Sequence, residues 1–343
     1  PKNFGFNEAP DRNVNIKTSY TIPGSANAEE IEQDITLMKP PIAFIHGIWS
    51  GEETWGPPYH IANSQFEIHF IDYAEKSSMS FSDRGPNVQR GIENVIKSLR
   101  KRKIAATRIN VVGHSMGGLV ARQFFADNHG KNFHRKDNFG KGDIYKLVTL
   151  GTPHFGSPLA WLTVKLRDMN YSPFVLLAQK IGKDIESGAI DALCPGSRAL
   201  MGLGETHIPT HTVRAWNFDS NTDALTWEHF YELLKKELKN IILHPGQIPK
   251  ASPMALLYAA LKYMSVVTGE VLLSSLYSSD KTDMLVTLVS QGGGIHQGAN
   301  NVFSKTIHFA TGYDLRPDLF SETVSDEIAA YIFSILNRDF DDI

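Results

Sequence analysis

Cysteine is almost absent from this 343-residue chain, where Cys194 stands alone. A single thiol excludes an internal disulfide and a cysteine-based metal cluster, and it leaves the compartment open. Also missing is an uncharged apolar run of about 18 residues, the length that marks a membrane-spanning helix. The most apolar stretch, PMALLYAALKYMSVVTGEVLLSSL (253–276), is interrupted by Lys262 and Glu270, so no transmembrane segment is expected. Charge of one sign is not in excess either: Lys+Arg number 34 against 37 Asp+Glu, a formal net charge of -3. That balance gives no support to a nucleic-acid partner. The chain opens PKNFGFNEAP, with neither Met nor a charged-then-apolar leader, so a signal peptide is absent, already removed or trimmed away. No internal repeat is visible.

Hydrophobic residues make up 42% of the chain, enough for a sizeable core and too much for a disordered protein. The most informative stretch is RINVVGHSMGGLVARQFF (108–125). Arg108 to Val112 reads as a short buried strand rich in β-branched residues, and Leu119 to Phe125 as a helix with an apolar spacing of three to four. Ser115 falls on the turn between them, inside G-x-S-x-G (Gly113, His114, Ser115, Met116, Gly117). A serine in that setting is a nucleophile elbow, held in a strained backbone conformation with its hydroxyl clear of the sheet. Gly113 and Gly117 are required there because side chains would collide as strand and helix close on each other.

Further strands are expected at PPIAFIHG (40–47), FEIHFIDY (66–73), IYKLVTLGTP (144–153) and IPTHTVRAWN (208–217). NVQRGIENVIKSLRKRK (87–103) reads as a helix with Val88, Ile92, Val95, Ile96 and Leu99 on one face and cations at its C-terminal end, where the helix dipole favours them. Alternation of strands with helices predicts an α/β fold, a mostly parallel sheet covered on both faces. The polar stretch 126–143 reads as a solvated loop; its His129, His134, Asp127 and Asp137 lack metal-ligand spacing. Residues 1–38 form an N-terminal extension with one strand near NIKTSYTIP, to which the pattern assigns no role.

Five pieces, IAFIHGIWSG, VVGHSMGGLVAR, LVTLGTPHFGSPLA, IDALCPGSRAL and SDKTDMLV, carry a resemblance. Across roughly residues 40 to 340 the chain resembles the α/β-hydrolase superfamily of lipases and esterases, similar to bacterial triacylglycerol lipases and to the GPI-inositol-deacylase-like lipase group. The resemblance implies one domain over 1–343 with an eight-stranded, mostly parallel sheet. It also implies a helical cap, placed at 155–206 and 217–278, and Ser-acid-His catalysis with no cofactor and no metal. An oxyanion hole would come from two backbone N–H groups, that of Met116 after the nucleophile and that of Ile48 in the H-G-x turn. His46 and His114 then read as structural neighbours of the site.

In this superfamily the acid and base follow the serine, in that order. His308 follows the strand-like VFSKTIHF and precedes SETVSDEIAAYIFSILNR, an amphipathic helix opened by a serine cap. His308 is therefore preferred as the base over His296. Asp283, in TDMLVTLVSQ, matches the family's turn except for methionine at 284, and is preferred as the acid over Asp280 and Asp219. The function expected is a serine carboxylic-ester hydrolase working through an acyl-enzyme on Ser115. A phospholipase or acyltransferase, or a catalytically silent binding module, is the alternative. Residues 252–273 and the tryptophans of WSGEETWGPPYH (49–60) lean towards a lipid-like ester and peripheral contact with lipid interfaces. With that lean, a secreted or membrane-peripheral location is favoured over a cytoplasmic one.

Overall fold

The computed structural model describes residues 11–24, 28–61, 65–73, 79–83, 85–132, 136–138, 140–169, 185, 188–206, 208–216, 218–219, 281–283, 285–294, 301–308 and 320–338. At its centre lies a six-stranded sheet of β3 (Ile42–Ile45), β4 (Ile68–Ile71), β5 (Ile109–His114), β6 (Ile144–Leu150), β7 (Thr210–Ala215) and β10 (Val302–Phe303). Its order is β10-β7-β6-β5-β3-β4, and every pairing is parallel. Two strands fewer are described than the eight that the resemblance implied.

A strand buried on both faces divides its side chains between two layers. Ala43 and Ile45 join one core cluster with Val88, Ile92 and Leu99 of α2 (Gly85–Lys101) and Leu119 and Phe124 of α3 (Met116–Asn132). Their neighbours Ile42 and Phe44 join the other, with Tyr59 of α1 (Pro57–Ile61) and Ile328, Ile332 and Ile335 of the last helix (Asp326–Asn337). The α2 face read from its spacing is the face that is buried.

Three expectations need correction. The extension is an antiparallel ribbon of two strands, β1 (Asp11–Thr21) and β2 (Ala28–Met38), paired along their whole length. Four carboxylates in 28–38 masked the second strand, although Ile31, Ile35 and Leu37 alternate at period two. The helix after the elbow continues to Asn132 instead of ending at Phe125. A polar sequence does not end a helix when its last turns have left the core. The last helix is capped by Ser325, whose side chain accepts from Ile328 N, and not by Ser321.

After β6 come α4 (Pro158–Asp168), α5 (Gly188–Ala192) and α6 (Arg198–Gly202). Ser157 caps α4 by accepting from Ala160 N, and Pro158 fits the first turn, where no N–H acceptor is needed. Ala160, Ala189, Ile190 and Leu193 pack into the same cluster as Met116 of the elbow. The second expected cap segment, 217–278, lies outside the described residues apart from β8 (Phe218–Asp219). No helix among the described residues is long and apolar enough to cross a membrane.

Lys146, in the middle of β6, is fully buried and donates to Ile335 O at 3.1 Å and to Arg338 O. An ammonium out of water is tolerable only with its protons used, and here it ties the sheet to the carbonyl end of the last helix. Lys146→Met is expected to cost about 2–3 kcal/mol of unfolding free energy, read as a lower urea midpoint, with the active-site labelling described below unchanged.

Candidate active site

The parallel strands all end on one side, and the candidate site is built there. Between β5 and α3, Ser115 adopts φ +54, the left-handed backbone expected of an elbow. The conformation is held from both sides: Ser115 N donates to Leu150 O at 2.9 Å and Gly118 N to Ser115 O at 3.2 Å. Close approach explains the glycines. A Cβ on Gly113 would lie 2.6 Å from Gly118 Cα, which is the strand-on-helix collision expected. A Cβ on Gly117 would instead lie 2.4 Å from Ile45 O, so that glycine serves the neighbouring strand β3.

The turn after β3 comes equally near. A Cβ on Gly47 would stand 2.8 Å from Ser115 Cβ, so only glycine lets Ile48 approach the serine. His46 holds this turn: Nδ1 lies 2.9 Å from Gly47 O, while Nε2 takes the Tyr73 N–H at 3.1 Å and lies 3.0 Å from Asp72 Oδ1. Burial keeps its pKa below the ordinary imidazole value despite the pull of Asp72. It is a structural histidine, as expected. Met116 is the first residue of α3, so its N–H has no acceptor within the helix.

Asp283 reaches the site from far along the chain. β9 (Lys281–Thr282) pairs antiparallel with β8, just beyond β7, and this short ladder returns the chain to the sheet edge after residue 219. Asp283 is fully buried. Its Oδ1 accepts from Leu285 N at 2.9 Å and Val286 N at 2.7 Å, and Oδ2 accepts from Gln291 Nε2 at 3.0 Å. Gln291 also spans to β7, taking Ala215 N on Oε1 at 2.7 Å and donating to Ala215 O at 2.9 Å.

His308 follows β11 (Thr306–Ile307) and places Nδ1 2.7 Å from Asp283 Oδ2. The structure thus brings Asp283 and His308 together. Asp219 sits opposite Lys281 in the β8–β9 ladder, while Asp280 and His296 lie outside the described residues. Ser115 and His308 both line a cavity of about 50 Å³, with Ile48, Trp49, Leu159 and Leu285 among its apolar walls. Trp49 is thus a wall residue as expected. Trp55 is not: it is buried in the core with its ring 4.8 Å from that of Phe44.

Two residues in contact with the Asp283–His308 pair escaped the sequence reading, Gln291 and Glu322. Gln291 carries no pattern that would reveal it. Glu322 was read as part of a helix start. It is fully buried, with Oε2 3.1 Å from His114 Nε2 and 3.5 Å from His308 Nδ1. Burial first, then the charge of Asp283, push its pKa well above the usual carboxylic range. His114 stacks 4.7 Å from the His308 ring; burial, followed by His308, holds its pKa well below the imidazole norm. Among the described residues, His114, His308 and Glu322 are the one group with metal-type donors within 4.8 Å of one another. Their donor atoms are engaged with each other and with Asp283 in one hydrogen-bonded network.

This sheet order, with the elbow serine after β5 and the acid and histidine beyond later strands, defines an α/β-hydrolase fold. The family described as "Putative serine esterase (DUF676)" matches residues 42–174, from β3 through α4, and so includes the Gly47 turn and the elbow but neither Asp283 nor His308. Comparison with curated proteins found no match. Among solved structures, the chain is similar to the mature form of the Bacillus licheniformis lipase BlEst2, at 15% identity and a TM-score of 0.42 over 87% of this chain and 92% of that one. With the propeptide form of that lipase the identity is 22% and the TM-score 0.33, over 46% of this chain and 30% of that one. The Staphylococcus hyicus lipase gives 14% and 0.41, over 87% and 94%. TM-scores below 0.5 are too low for these likenesses to bear on function.

Gly47→Ala tests the geometry of the turn. The added methyl must push Ser115 or the Ile48 turn aside by a few tenths of an ångström, and misplacement on that scale lowers kcat by about 10–100-fold. Ester turnover should fall by that amount while the melting temperature changes little.

Proposed function

We propose that the protein is a serine carboxylic-ester hydrolase. The observation that carries the reading is the 2.7 Å contact of His308 Nδ1 with buried Asp283, on a histidine that shares one apolar cavity with a left-handed elbow serine. Ser115 Oγ attacks the acyl carbonyl while His308 takes its proton. Asp283 fixes the tautomer with the proton on Nδ1, leaving Nε2 basic, and balances the imidazolium that forms. The tetrahedral oxyanion is received by the N–H groups of Ile48 and Met116. The alcohol leaves with the proton held by His308. Water activated by the same histidine then cleaves the acyl-enzyme.

Apolar walls favour an apolar acyl group, and the surroundings extend that preference. Phe155 and Trp161, on the segments that carry the cavity-lining Pro153, Ser157, Leu159 and Ala160, are exposed by 53% and 38%. A lipid-like ester fits such a rim. The cavity holds about two water volumes, so chains longer than a short acyl group extend beyond it over the surrounding surface. The segment of 252–273 that the sequence offered as a lipid-contacting surface lies outside the described residues, and α4 with its neighbours is the part of the proposed cap that supports the idea.

Ser115→Ala should abolish ester hydrolysis and covalent labelling by an organophosphate without changing the melting temperature. His308→Ala should lower kcat by several orders of magnitude, and the double variant should be little worse than either single one, since nucleophile and base act as a unit. Asp283→Asn should cost less than His308→Ala. Substantial turnover by Ser115→Ala would reject the serine mechanism.

A hydrolysis profile over p-nitrophenyl esters of increasing acyl length, with a phospholipid alongside, should read substrate class. Turnover should extend from short to long acyl groups. Activity confined to the shortest esters would reject the lipid-like assignment while leaving the serine mechanism intact.

A further inference from the structure

Glu322 is a buried carboxyl group that the mechanism above does not use, and it stands against the groups that the mechanism does use. β11 and β12 (Phe320–Ser321) run parallel, with Thr306 opposite Phe320 and Ile307 opposite Ser321. The next residues in register, His308 and Glu322, therefore leave the two strand ends side by side. Glu322 Oε2 and Asp283 Oδ2 lie 3.5 and 2.7 Å from the same His308 Nδ1, which brings the two carboxyl groups within reach of a shared hydrogen bond, and the Glu322 backbone is clamped from α1 by Tyr59 Oη, which donates to Glu322 O at 2.7 Å.

Two carboxyl groups can share a hydrogen bond only if one of them carries a proton. Asp283 faces the N–H groups of Leu285 and Val286, Gln291 Nε2 and His308 Nδ1, and each of these donors favours negative charge there. Glu322 is poorer in donors: His114 Nε2 lies 3.1 Å from Oε2, and among the described residues none reaches Oε1. The proton of the pair therefore belongs on Glu322. Burial favours the same choice, since it penalises a second negative charge in the same volume.

We propose that Glu322 is a positioning residue, a neutral carboxylic acid that donates to Asp283 and through it fixes the orientation of the His308 imidazole. The proposal rests on the serine-hydrolase reading. As a neutral donor Glu322 leaves the Nδ1 proton of His308 to Asp283. Ionised, it would repel Asp283 and compete for that proton from 3.5 Å. Among the described residues, the titratable groups that face Glu322 are Asp283, His308, His114 and Tyr59. Burial and the charge of Asp283 raise the pKa of Glu322, so its proton is kept to higher pH than on an ordinary carboxyl group and is lost as pH climbs through that value. Turnover must therefore decline on the alkaline side.

The test is kcat and KM on a short soluble p-nitrophenyl ester, from mildly acidic to alkaline pH, for wild type, Glu322→Gln and Glu322→Leu. Thermal melting and organophosphate labelling of Ser115 accompany each. Glutamine places an N–H where the carboxylic O–H stands and cannot ionise. Glu322→Gln is expected to keep kcat within about threefold of wild type and to lose the alkaline decline, whereas Glu322→Leu lowers kcat about 10–100-fold with KM nearly unchanged. A fall of Glu322→Gln to the level of Glu322→Leu would overturn the proposal, because charge and not the proton would then be needed. An alkaline decline unchanged in Glu322→Gln, or wild-type kcat in both variants, would overturn it as well. Should Glu322→Leu fail to fold, the alkaline limb of Glu322→Gln decides alone. Ser115→Ala, assayed in parallel, separates the two readings: turnover there rejects the serine mechanism, while its loss alongside unaffected Glu322 variants rejects only the role of Glu322.

Discussion

A carboxylate with no solvent around it must receive hydrogen bonds from the protein or cease to be a carboxylate, and Asp283 is in that position. The elements around it can be understood as the supply of those bonds. The turn 283–286 folds back so that two of its own N–H groups reach Oδ1. Gln291 presents its amide to both Asp283 and the end of β7, which ties the turn to the sheet. His308 completes the set, and its backbone N–H also donates to Asp283 O at 3.3 Å. With that much stabilisation on one oxygen pair, the neighbouring Glu322 is the group left to stay neutral.

Placement of the pair depends on the parallel sheet. Strands that all run the same way deliver their C-terminal ends to one edge, so turns distant in sequence become neighbours without any direct connection. Gly47 of the β3 turn approaches Ser115 of the β5 turn, and Ser115 N bonds to the end of β6. The β6–α4 turn is fastened to the acid loop, since Ser157 Oγ donates to Leu285 O at 2.6 Å and Ser290 Oγ to Gly156 O at 2.7 Å. His154 belongs to the same seam: with Arg122 on Nδ1 and Thr149 on Nε2, burial first and the arginine second take its pKa down to about 3. It is a neutral strut. These bonds brace the walls of the cavity from beneath, where a shifted wall would misplace Ser115 or His308.

Much of this was legible in the chain itself, for reasons that are local. The elbow needs a strand, a tight turn and a helix within a dozen residues, and steric demands on Gly113 and Gly117 leave their mark in the same stretch. Burial of α2 follows from a periodicity that any reader of the chain can count. His308 and Asp283 were also named from the chain, by resemblance and by their order after the serine, and the structure places them in contact. The N-terminal ribbon was missed because its carboxylates alternate with its apolar residues; its apolar face needs the partner strand to become visible.

The sequence by itself determined the α/β alternation, the serine and its strained turn, because each is a property of contiguous residues and of backbone sterics. Tertiary structure decided which carboxyl group keeps its charge. Asp283 and Glu322 both carry carboxyl groups, and both are fully buried. What separates them is the set of donors that folding aims at each: four at Asp283, from the turn, from Gln291 and from His308, against His114 Nε2 at Glu322 Oε2 and, among the described residues, none at Oε1. Those donors come from positions 285 to 308, assembled by a two-residue ladder and a parallel register, and no spacing along the chain records them.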